Sequence, residues 1–256
     1  MESRSVFVTG ANRGIGLEFI RQLVALPKAP RYVFATYRSK DSLQALIDIK
    51  DSSKYSEVIL IRMDVSKPEE VKVARAIVED TVGDDGLNLL INNAGICQVQ
   101  AFPNVSTENL LQHFTTNTVG PVMVLQELYP SLLKAASRQD ANSGMGVNRA
   151  MVLNISSLAG SITRTGKEFV RDIVASGYKI SKAALNMAMR VFAANVKDQG
   201  ILIVMMCPGW VKTDMGTDQG QIEVEESIST MLQTLPKLNE KHHGVYMDRS
   251  GNEYPF

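Results

Sequence analysis

The chain has 256 residues, 45% of them hydrophobic and 21% charged, enough for one large domain with a substantial core. Its 27 basic and 27 acidic residues balance to a net charge of zero. No block of like charge stands out, which argues against a nucleic-acid or anionic-membrane partner. No apolar run reaches the roughly 18 residues that a membrane span needs. Cys97 and Cys207 are the two cysteines. They stand far apart, in no metal-ligand spacing, so no metal site is expected, and they read as reduced thiols of a cytoplasmic protein. A strand-like run starts almost at the first residue and leaves no room for a signal peptide.

In chain order, short β-branched runs alternate with longer helical patterns. Strands are expected at 5–10, 31–37, 57–64, 87–95, 150–157 and 201–209, with a short last one at 243–248. Most are continuous apolar runs, as strands covered on both faces are. Helical periodicity marks 14–26, 67–82, 121–136 and 178–198 between them. The polar stretch 137–150 reads as a loop before a strand, not an interdomain linker. Alternation of this regularity predicts a single α/β domain over 1–256. Its core is a doubly wound, Rossmann-type parallel sheet of about seven strands with helices on both faces.

In such a sheet a ligand sits outside the carboxyl ends of the strands. Four of those ends carry unusual residues: TGANRGIG (9–16), NNAG (92–95), NISS (154–157) and CPGW (207–210). The first follows a strand and opens a helix. Gly10, Gly14 and Gly16 allow a tight turn and the close approach of a pyrophosphate to the helix N-terminus, with Asn12, Arg13 and Ile15 between them. Where NAD-binding folds keep an acid at the end of the second strand, this chain reads ATYRSK, with Arg38 and no acid until Asp41. Arg13 and Arg38 suit a 2′-phosphate, which predicts NADP(H) over NAD(H).

With TGANRGIG, NNAG, NISS and YKISK in order at these distances, the chain resembles the short-chain dehydrogenase/reductase family over essentially its whole length. VTGANRGIGL, LLINNAGI, CPGWVKTDM and the added residues before Tyr178 look most like its carbonyl reductases, of the sniffer and C-factor-like type. The resemblance implies reduction of an aldehyde, ketone or quinone, with catalytic positions at Asn117, Ser157, Tyr178 and Lys182. Tyr178 and Lys182 are four apart, so a helix stacks them on one face. A phenol ordinarily ionises near ~10, and an ammonium beside it is expected to favour the tyrosinate, tuning Tyr178 as acid or base. Ser157 would hydrogen-bond the substrate oxygen, Lys182 would also hold the nicotinamide ribose, and Asn117 would hold a relay water. The family's cofactor contacts fall on Asp64 and Val65 near adenine, and on Asn93, Ala94 and Gly95 on the ribose side. Pro208, Gly209, Val211 and Thr213 complete them near the nicotinamide and phosphate.

One stretch departs from the family's pattern: 158–177 is longer than usual and must loop out near the substrate mouth. Segments 96–105 and 215–229 are the other expected substrate-side loops, the last at the place of the family's mobile lid. The partner is a small-molecule carbonyl compound. The apolar face of helix 178–198 favours a homodimer or homotetramer, and a monomer results if the insertion caps that face. The alternative reading is a signalling or redox-sensing protein in which the bound cofactor matters more than turnover.

Overall fold

The structure is a computed structural model and describes residues 3–138, 143–167 and 173–256. Its strands are β1 (Ser5–Val8), β2 (Tyr32–Tyr37), β3 (Glu57–Arg62), β4 (Leu89–Asn92), β5 (Met151–Ile155), β6 (Leu202–Cys207) and β7 (Tyr246–Asp248). They form one sheet in the order β3-β2-β1-β4-β5-β6-β7, every neighbouring pair parallel. Parallel neighbours need crossover connections. Here these are α1 (Gly14–Val24), α2 (Gln44–Ser52), α3 (Pro68–Val82), α4 (Thr107–Phe114), α5 (Gly120–Ser137), α6 (Ser176–Val196) and α7 (Val224–Thr234).

Side-chain alternation along the strands builds two cores. Phe7, Phe34, Leu90, Val152 and Met205 point to the face covered by α3, α5 and α6, among Val78, Leu128 and Met189. Val6, Val33, Leu89, Leu153 and Val204 point to the other face, among Phe19, Leu23 and Met231 of α1 and α7. Burial on both sides explains the unbroken apolar runs. The chain moves outward in opposite directions from β1 and β4, so their carboxyl ends open a crevice.

The expected strands all exist, but several stop early. The run at 5–10 ends at Val8, 87–95 at Asn92, 150–157 at Ile155 and 201–209 at Cys207. The residues beyond them leave the sheet for turns: Gly10 has φ +62° and Gly209 φ +88°. Segment 215–229 is not all loop, because α7 starts at Val224 and buries Ser227 and Ile228. The rest of that segment folds back on the turn after β6, with a parallel bridge between Val211 and Ile222. Of the insertion 158–177, residues 158–160 form a 3-10 turn and Ser176 already begins α6. Residues 168–172 lie outside the described residues, as do 139–142 of the polar loop.

Candidate active site

The glycine loop is fastened on three sides. The Thr9 hydroxyl accepts from the amides of Asn93 and Ala94, both at 2.9 Å. The Thr36 hydroxyl accepts from the Gly10 amide at 3.1 Å, and the Asn93 side chain donates to the carbonyls of Thr9 and Gly10 at 2.9 and 3.0 Å. Only glycine fits at 16, since a Cβ there would lie 2.2 Å from the Gly10 carbonyl oxygen. Arg13 occupies the N-cap of α1 in extended backbone and its side chain caps nothing. The first amides of α1 are therefore not claimed by a capping side chain, which leaves them to an anion. Loop and helix end together fit the pyrophosphate of a dinucleotide. Thr9 and Thr36 were not singled out from the sequence; the signal was a threonine closing an apolar strand next to the loop.

Several expected cofactor residues are committed to the protein itself. Arg13 Nη1 pairs with Asp214 Oδ2 at 2.9 Å, across from the glycine loop, with both side chains largely exposed. Its guanidinium was expected at the 2′-phosphate; the acid at 214 was the unread competitor. Arg38 is exposed. The Asn12 amide donates to the Ser42 hydroxyl. Asp64 accepts from the amide and hydroxyl of Ser66 at 2.9 and 2.7 Å. Burial would raise its carboxyl, but these bonds and the charges of Arg38 and Lys67 outweigh that and hold it below the usual range. Val65 is buried against Gly120. On the far side, Thr213 packs against Gly14, the Pro208 carbonyl accepts from Ser227 at 2.7 Å, and the Trp210 indole donates to the Gly216 carbonyl at 2.8 Å.

At the carboxyl end of β5 the two serines of NISS diverge. The Ser156 hydroxyl donates to Asn186 Oδ1 at 2.6 Å and is buried. Ser157 faces the crevice, where its hydroxyl accepts from the Ala159 amide at 3.2 Å and lies close enough to Tyr178 to favour the ionised phenol. Tyr178 and Lys182 stack on the first turns of α6, with the ammonium 5.7 Å from the ring centroid. Lys182 is buried and donates to the Ile155 carbonyl at 2.7 Å.

The electrostatics differ from expectation. Burial pushes the Tyr178 phenol up, and the nearby Ser157 hydroxyl only partly opposes it; Cys97 and Cys207 add to the rise. Lys182 is not among the groups that shift it. The ammonium lies over the ring and on the Ile155 carbonyl rather than at the hydroxyl, and burial lowers it to about 8. The phenol therefore carries its proton at neutral pH, the state a general acid needs.

Asn117 lies in a π-turn (Thr115–Val119) that joins α4 to α5. Its side chain accepts from the Ile96 amide at 2.8 Å and donates to the Ile96 carbonyl and to Ser181 at 2.9 and 3.0 Å. It pins the segment after β4 to α6 and keeps Gly95 beside Lys182, whose Nζ would be 3.8 Å from a Cβ there. His113, given no role from the sequence, is fully buried, and its Nε2 accepts from the Gln98 amide at 2.9 Å. Among the described residues no three His, Cys, Asp or Glu gather as a metal site, and no helix is long and apolar enough to cross a membrane.

The short chain dehydrogenase family model matches residues 4–223. The chain belongs to this family. Among solved structures, the carbonyl reductase Sniffer of D. melanogaster is 33% identical, with 99% of each chain covered and a TM-score of 0.92. An NADPH-bound carbonyl reductase from chicken fatty liver is 38% identical over 100% of this chain and 95% of that one, again at TM-score 0.92. Among curated proteins, C-signal of Myxococcus xanthus is 32% identical over 171 residues, 66% of this chain and 93% of that protein. As an oxidoreductase of this family, the chain has its crevice and its Ser157–Tyr178–Lys182 cluster at the same edge of the sheet.

Proposed function

We propose that this short-chain dehydrogenase is an NADPH-dependent reductase of carbonyl compounds, taking an aldehyde, ketone or quinone to the alcohol. The observation that carries this is the meeting of Ser157 and Tyr178 at the carboxyl end of β5 with a buried lysine, whose ammonium lies 5.7 Å from the Tyr178 ring and on the Ile155 carbonyl. When bound, the nicotinamide supplies a hydride to the carbonyl carbon. Ser157 donates a hydrogen bond to the substrate oxygen and Tyr178 gives it a proton. Lys182 holds the ribose hydroxyls from within the crevice, and Asn117 keeps the neighbouring segment in place. Arg38 receives the 2′-phosphate, with Arg13 joining it when released from Asp214. The NADPH-bound relative at 38% identity supports the choice of cofactor.

The test is NADPH consumption against a panel of aldehydes, ketones, quinones and steroids. Wild-type protein is expected to turn over at least one class. Tyr178→Phe is expected to lose about a thousand-fold in kcat, the middle of the range that general acid catalysis supplies, while still binding NADPH. Silence across the panel in NADPH-binding protein overturns the reading, and equal or tighter NADH binding overturns the cofactor assignment. Likeness to C-signal favours a second reading, a cofactor-dependent signalling role. A biological effect that survives Tyr178→Phe would establish it.

Ile180, Met187 and Val191 are exposed along one side of α6, and Leu111 and Phe114 are exposed on α4, which packs against it. This apolar face supports self-association as a dimer or tetramer. The reading places the protein in the cytoplasm, where NADPH and reduced thiols coexist.

A further inference from the structure

Ser157 sits just past the last ladder bond of its strand, which the Ser156 amide makes to the Met206 carbonyl at 2.8 Å. Beyond that bond the backbone ladder ends, and the sheet holds the next peptide only through the Cys207 thiol, which accepts from the Leu158 amide at 3.2 Å. Two donors then share the Ser157 carbonyl: the Gly160 amide at 2.8 Å, within the turn that follows, and the hydroxyl of Tyr246 at 2.6 Å, from the edge strand of the sheet. Tyr246 belongs to β7, two strands away, and is fully buried. Its ring is flanked by Tyr254, edge-on at 5.4 Å, and Phe256 at 5.7 Å.

The residues that flank the ring also hold the segment after Ser157. The Ser161 hydroxyl donates to the Pro255 carbonyl at 2.6 Å, and the Thr163 amide to the Phe256 carbonyl at 2.9 Å. The Tyr254 amide closes the loop on the Tyr246 carbonyl at 2.8 Å. Ser157 is thus gripped by the last strand, and the strand's aromatic ring is wedged by the segment that follows it.

We infer that Tyr246 is a positioning residue for the reduction, its buried hydroxyl fixing the Ser157 backbone so that the Ser157 hydroxyl stays beside Tyr178. This rests on the function proposed above. A buried tyrosine needs some hydrogen-bond partner whatever its role. What sets this one apart is the partner: the carbonyl of the serine that lies beside the reacting phenol, just past the end of its strand. The groups around Tyr178 are Ser157, Lys182, Cys97, Cys207 and the Tyr246 phenol itself, which Tyr246→Phe replaces with an uncharged ring. Of these, Ser157 alone lowers the phenol, so loosening it changes how Tyr178 titrates.

The experiment compares wild type, Tyr246→Phe, Ser157→Ala and the double variant, with NADPH and the best carbonyl substrate of the panel. Tyr246→Phe is expected to lower kcat about five- to ten-fold with the KM for NADPH unchanged. The limb of the alcohol-oxidation pH profile that reports the ionised phenol moves to higher pH, since a Ser157 hydroxyl displaced from the phenol leaves it harder to ionise. In the Ser157→Ala background the same change is expected to cost almost nothing, because the residue it acts through is gone. A lower Tm with unchanged kcat and pH profile, or losses that multiply in the double variant, overturns the inference. If NADPH-binding wild type turns over nothing, the functional reading falls first. Amide exchange at Ala159 and Gly160 then decides the inference: faster in Tyr246→Phe if the hydroxyl holds Ser157, unchanged if it does not.

Discussion

Lys182 shows how a residue's chemistry depends on what surrounds it. Its spacing from Tyr178 is plain in the sequence, and the structure puts both on one helical face. Its charge state is not, because that depends on burial by residues far away in the chain. Burial favours the neutral amine and brings Lys182 down to about 8, against an ordinary value near ~10.4. Between these values the unfolded chain binds more protons than the folded one, so unfolding free energy rises as pH climbs through that window. Lys182→Met removes this dependence. Denaturant unfolding of both proteins at pH 7 and pH 10 should show wild type gaining on the variant at the higher pH. The lost bond to the Ile155 carbonyl is a constant offset that cancels in the comparison. Parallel behaviour at the two pH values would contradict the burial argument. The same distinction divides the other residues. Gly10, Ser157 and Tyr178 announce themselves by motif, whereas the Arg13–Asp214 pair and the grip of Tyr246 on Ser157 join positions about 200 and 90 apart, which no local pattern encodes.

Among the elements, the strands were legible because burial on both faces leaves continuous apolar runs. Their ends were less so, because Thr9, Asn93 and Ser157 are compatible with a strand until the tertiary bonds that turn them away are known. Helix α4 is only eight residues long and runs straight into the π-turn with Asn117, too short to stand out in the sequence, and α7 was obscured by the polar residues before it. The junction of β1 and α1 offers the sharpest test at this scale. A methyl group at position 16 meets backbone at 2.2 Å and the Asn93 amide at 2.6 Å, so the loop must shift away from the helix end. Overpacking of this kind costs about 1–3 kcal/mol. If that strain falls on the bound state, Gly16→Ala should weaken NADPH binding about 10- to 100-fold, as read by fluorescence titration. An unchanged dissociation constant would mean that the loop does not cradle the cofactor.

Across the whole molecule, zero net charge and an apolar stripe on α6 bear on assembly. Met187 is 63% exposed and Ile180 56%, a cost that a second copy of the chain would remove. Sedimentation should therefore find wild type as a dimer or larger, and Met187→Glu should shift it toward monomer by placing charge in the contact. A wild type that sediments as monomer shows the stripe to be uncovered in solution. The sheet has a second consequence. Because all seven strands run the same way, one rim carries every group of the crevice and the opposite rim carries none. Immobilisation, labelling or inserted sequence is best placed on that idle rim, for instance around Lys54 and Tyr55, which are exposed just ahead of β3. Attachments there sit a full strand's length from the chemistry and leave the pocket walls open to redesign.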